Sequence, residues 1–156
     1  MLRRDMRGIL GGLFLTACLN LSIASHLTCN PTGKVLDEIE PTSLALKAAC
    51  KELAKDAEQI ATRMERSDPR IVTVGYEAWR MSKPDKQKGK EIFTYLQRHL
   101  LEKGMVPLGG SSGSAGETKI FGTIMPFGPA YLISLNYLVR AQGVYFLTVV
   151  FAKSTR

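Results

Sequence analysis

Three cysteines, two histidines and a cluster of lysines are the residues of this chain whose types could do chemistry. Cys18 follows Leu15-Thr16-Ala17 at the end of a short apolar run, the pattern of a bacterial lipobox, in which small residues before a cysteine admit a peptidase and the thiol takes a diacylglyceryl group. With Cys18 used in that way, Cys29 and Cys50 remain as a pair that an oxidising compartment would allow to join. The alternative leaves Cys50 as a small buried residue on a helix and Cys29 as a free thiol in a tail. Lys83, Lys86, Lys88 and Lys90 place four cations close together, which suits an anionic surface, glycan or acidic partner as well as a solvated helix face. Tyr76, Trp79, Met125 and Phe127 flank loops and could form an apolar contact patch, or lie in the core or cover an edge.

Catalysis has little to work with. His26 falls in a tail, and His99 stands alone on a helical stretch beside Leu100, so neither has a partner at a spacing that makes a nucleophile and base. No His/Cys/Asp grouping has metal-ligand spacing. Glu77, between Tyr76 and Trp79, is the one carboxylate in an aromatic setting. The Gly/Ser run 109–116 fails the phosphate-loop spacing G-x-x-x-x-G-K-[ST] and leads into a strand, not a helix, so no cofactor is expected. A binding protein without cofactor or metal is the leading reading, and a small secreted enzyme or toxin-like effector using Glu77 or the Gly/Ser run is the alternative.

The elements around these residues begin with an export leader over residues 1–25. Arg3, Arg4 and Arg7 precede the apolar run 9–17, which is too short to span a bilayer. Cleavage after Ala24 or Ser25, with no lipid, is the competing reading. The chain carries 21 basic and 14 acidic side chains, for a net +7. Three of those bases and Asp5 belong to the leader, so the body keeps +5, short of the continuous basic stripe of a nucleic-acid binder. Residues 26–41, with two prolines and a glycine and no periodicity, read as a tether, and 42–156 as a single domain large enough for a core.

Within that domain, Thr42 or Ser43 could cap a helix running to about Arg66, with Leu46, Cys50, Leu53, Ala57, Ile60 and Met64 as one apolar stripe. A strand is predicted over 70–76. Residues 77–83 then lead into a second helix over 85–103, with Ser82 as a cap and Gly104 as its stop. A short strand follows at 105–108, the Gly/Ser run reads as a flexible loop, and period-two stretches at 119–125, 131–140 and 144–152 make an antiparallel meander with a tight turn at Ala141-Gln-Gly143. The order predicts an α+β fold: a mixed five-stranded sheet, with 70–76 and 105–108 joined by a parallel crossover and both helices on one face.

Gly89 opening the second helix, Gly104 closing it, Gly122-Thr123 in the third strand and Gly143 before the last one form a pattern that resembles the FlgO family of flagellar outer-membrane lipoproteins. More widely, it is similar to the periplasmic modules of LpoB, the N-terminal domain of TolB and CsgG. The likeness spans about residues 44–153 and rests on glycines and apolar runs. It implies an envelope accessory lipoprotein on the periplasmic side, anchored at the outer membrane, binding other envelope proteins during assembly of a surface structure such as the flagellum, and able to form homo-oligomers.

Overall fold

The computed structural model describes residues 27–29, 44–123 and 130–154. Its centre is one six-stranded sheet in the order β1-β2-β6-β5-β4-β3, with β1 at Leu46–Ala48, β2 at Ile71–Met81, β3 at Met105–Gly113, β4 at Gly116–Thr123, β5 at Ala130–Arg140 and β6 at Gly143–Lys153. Among the described residues two helices, α1 at Cys50–Ser67 and α2 at Lys86–Glu102, join it in an α+β arrangement.

Every neighbouring pair of strands is antiparallel, which corrects the expected mixed five-stranded sheet. β2 and β3 do run in the same direction, and α2 does cross between them, but β6, β5 and β4 fill the space in between. The crossover therefore spans three strands and makes no parallel ladder. The meander lies where its alternation places it: Arg140 pairs with Gly143 around a two-residue turn, and β4 pairs with β5 from Gly116–Leu138 to Gly122–Leu132.

The two helices lie on opposite faces, which corrects the one-sided arrangement. Along β6, Val144 and Phe146 pack with Ile92, Phe93, Leu96 and Leu100 of α2, whereas Tyr145, Leu147, Val149 and Phe151 pack with Leu53 and Ala57 of α1. Successive residues of a strand point to opposite faces. A central strand buried on both sides therefore reads as continuous apolar sequence rather than alternation.

That geometry explains the other departures. β2 continues to Met81 instead of turning toward a helix at Glu77, because Ala78 fills the α1 side while Trp79 and Met81 fill the α2 side. The first helix starts at Cys50, not near Thr42 or Ser43, which lie outside the described residues. Its expected first turns are instead β1, whose Leu46, Lys47 and Ala48 pair with Met81, Arg80 and Trp79. Leu46 thereby joins the core on the α2 side, and cross-strand pairing outweighs the good helix propensity of this Ala/Leu/Lys stretch. Ser82 is not a cap; Asp85 is, its carboxylate accepting from the Lys88 amide at 3.0 Å.

Residues 109–113, expected as loop, form the second half of β3, paired with 116–120 around a turn at Ser114 and Ala115. α2 ends as expected at Gly104, whose φ of 81° suits a residue without Cβ. Gly89 lets α2 sit close to the sheet: an added Cβ would come within 2.8 Å of Val144 Cγ1 and 3.0 Å of Tyr137 Cε2.

Candidate functional site

Four places hold the residues singled out by type. The first is the corner where the N-terminal segment meets the sheet. Cys29 and Cys50 are joined in a disulfide with Cα atoms 5.9 Å apart. Cys29 forms a parallel bridge with Tyr76, and the Tyr76 amide donates to the Thr28 carbonyl at 3.2 Å. Leu27 and Cys29 pack against the α1-side core. The phenol of Tyr76 donates to the Cys50 carbonyl at 3.1 Å, and burial raises its pKa, so it stays protonated as a structural donor. Residues 27–29 are thus held by one covalent bond, one ladder bond and a patch of apolar contact. Cys18, His26 and the remainder of 30–43 lie outside the described residues.

The second place is the start of α2. Lys83, Lys86, Lys88 and Lys90 are all exposed, but Lys83 precedes α2, and at 100° per residue the other three spread around the helix instead of sharing a face. Lys86 and Lys90 lie one turn apart on one side, and Lys88 points away from both. Lys90 borders a shallow depression on the outer face of α2 with Gln87, Glu91, Thr94, Tyr95 and Arg98. Asp85 already fills the amide-rich end of the helix, and the Lys86 carbonyl accepts from the Tyr137 phenol at 2.9 Å. Burial, with the nearby charge of Asp85, raises the pKa of that phenol.

Tyr76 and Trp79 do not join these lysines. Both are buried, Tyr76 on the α1 side and Trp79 on the α2 side, so they form no common contact patch. Met125 and Phe127 lie outside the described residues.

The third place is the middle of the sheet. Glu77 is 2% exposed on the α2 side, opposite Thr148 in register, and takes part in a polar interaction. His99 lies elsewhere, half-buried in the last turn of α2. On the α1 side Asn136, also 2% exposed, organises a polar network: it accepts from Thr118 Oγ1 at 2.8 Å and donates to the Leu147 carbonyl at 3.0 Å and to Ser134 Oγ at 3.0 Å. Such a satisfied buried network fixes register between β4, β5 and β6. Period-two alternation along 131–140 puts Ser134 and Asn136 on one face, but alternation alone gives that face no role.

The fourth place is the outer edge of β3, where Pro107 to Ala115 are all exposed. Among the described residues no group of three His, Cys, Asp or Glu could hold a metal ion, and no helix is long and apolar enough to cross a membrane. No protein-family model, curated protein or solved structure matches this chain.

Proposed function

We propose that this chain is an exported accessory protein of the bacterial envelope, held at a membrane by lipid on Cys18, that acts by binding other envelope proteins. The observation that carries the reading is the Cys29–Cys50 disulfide. Disulfides of this structural kind persist in exported compartments and are rare where thiols are kept reduced, and the pairing leaves Cys18 as the odd cysteine, inside a lipobox-like motif. The resemblance of Gly89, Gly104, Gly122 and Gly143 to the glycine pattern of envelope lipoproteins supports the same assignment. Binding is favoured over catalysis because the ionisable residues singled out by type are dispersed: Glu77 in the sheet, His99 at the end of α2, the lysines around its start.

Metabolic labelling with palmitate tests the anchor. Label is expected on the wild-type chain and absent from Cys18→Ala; label that survives the substitution refutes lipidation at Cys18. Crosslinking in intact cells followed by recovery from the envelope fraction tests the partner class. Recovery only of cytoplasmic proteins would refute the envelope assignment.

A further inference from the structure

The two edges of the sheet are treated differently. Beyond β2 the chain covers itself, with β1 against Trp79–Met81 and residues 27–29 against Tyr76, the latter locked by the disulfide. Beyond β3 no described strand pairs, and nine residues present an open ladder edge.

Proteins guard such edges with charges, prolines or bulges. Here Pro107 and the register shift between Pro107 and Gly109 guard the first half. The second half, Gly109-Gly-Ser-Ser-Gly113, carries no charge, no proline and no large side chain. α2 meets only the beginning of β3, since Met105 is buried against it while Pro107 to Gly113 are exposed. No helix therefore covers the hairpin tip on either face, and only the Lys119 stem, paired with Glu117, lies against Gly110.

Glycine and serine are also poor strand formers, so local preference opposes the strand that the ladder with β4 imposes. A sequence at odds with its own fold in this way marks a functional position more often than a neutral one.

From these observations we infer that the β3 edge is a self-association surface: it pairs antiparallel with the β3 edge of a second copy of this chain, about a two-fold axis near Ser111, giving one continuous sheet across two copies. A second copy is favoured over a foreign peptide on three grounds. Strand addition gains its selectivity from pockets for alternate side chains, and Gly109–Gly113 offers none. Antiparallel pairing of a strand with itself is the self-complementary contact a two-fold dimer requires, and an uncharged segment brings no like charges together. The helix-free faces of the tip let a second hairpin approach without meeting α1 or α2. A contact this short buries less than a standard interface, so the dimer is weak and concentration-dependent. The inference does not depend on lipid at Cys18.

The test uses protein purified after expression of the full chain, studied by sedimentation up to about 1 mM, the range in which an interface of this size associates. The wild type should shift from monomer to dimer over that range, with amide exchange slowing within 109–113 as concentration rises. Ser111→Lys and Ser111→Glu should each stay monomeric at the highest concentration, because each places like charges across the axis, and an equimolar mixture of the two should recover the dimer. A wild type that stays monomeric overturns the inference. So does a dimer unaffected by both variants, capture of a different protein at this edge in place of the second copy, or a mixture that fails to associate although amide exchange along 116–123 shows the hairpin intact in both variants.

Discussion

Breaking the Cys29–Cys50 bond should lower stability by an amount the chain length sets. For a sequence separation of 21, loop-closure entropy in the unfolded state corresponds to about 3 kcal/mol. Unfolding of a domain this size in urea has a slope of about 1.5 kcal/mol per molar, so the midpoint should fall by about 2 M. Trp79 is the only tryptophan and is buried on the face of the sheet opposite the disulfide, so its fluorescence reports loss of the sheet, while its pairing with Ala48 of β1 keeps it close to Cys50 and makes a separate local signal necessary. The assay compares urea titrations of oxidised protein, reduced protein, Cys29→Ser, Cys50→Ser and the double variant. Reduction should shift the wild type and leave the double variant where it is. Amide exchange supplies a local signal, because the Tyr76 amide bonds to Thr28 O and should lose protection when residues 27–29 are freed. Thiol titration in denaturant should find two more thiols after reduction than before. Equal thiol counts, or an unchanged midpoint together with an unchanged Tyr76 amide, would refute both the disulfide and the argument for export built on it.

Three further outcomes follow from packing and charge. Asn136→Leu removes the partner of the half-buried Thr118 hydroxyl and one of the bonds to the Leu147 carbonyl and should cost about 1–3 kcal/mol, read from urea midpoints. Gly89→Ala should lose more by crowding Val144 and Tyr137, about 1–3 kcal/mol, than the roughly 1 kcal/mol it gains in helix propensity; it should be better tolerated in a Val144→Ala background, and equal cost in both would refute the contact. Hydrogen bonds from Arg70, then from Lys153, hold the Asp68 carboxyl well below its usual 3.8. Because the folded pKa is depressed, its contribution to stability is present above the ordinary carboxylate range and lost as pH falls below it. Asp68→Asn should therefore flatten the acid limb of a stability–pH curve, and a limb of unchanged steepness would remove Asp68 as its cause.

The meander was legible because its strands and turns obey local rules: period two, β-branched and aromatic residues, and a short Gly-containing turn. Strand order was not, since nothing local says that β6 inserts beside β2. Once it does, residues 76–81 are covered on both faces and lose the alternation that would have marked them as strand. Leu46 shows the same limit from the other direction, fitting a helical stripe by spacing yet serving the opposite face through β1. Gly109–Gly113 could not be read as strand from propensity, because β4 imposes it. At the candidate site, cysteine parity raised the disulfide and sequence order placed the lysines together, but only the fold shows that Tyr76 and Trp79 are buried on different sides and that no described strand pairs with the β3 edge.

The clasp at residues 27–29 also changes what a lipid on Cys18 would do. The tether read from sequence runs through residue 41, yet in the oxidised protein the chain is already fixed to the sheet at Leu27 and Cys29. Only eight residues then separate an anchor at Cys18 from Leu27, at most about 30 Å of extended chain. Freed of the disulfide, the same anchor would reach the domain near Leu44 through 25 intervening residues, about 90 Å. The bond would therefore act as a length control, holding the domain against the membrane surface while oxidised. On this argument, inserting a flexible segment of about 15 residues between Cys18 and Leu27 should reproduce, with the disulfide intact, the longer-range envelope crosslinks seen when both cysteines of the bond are replaced by serine. If the serine variant gains no such crosslinks, or the insertion gains none while the serine variant does, the clasp does not set the reach of the protein.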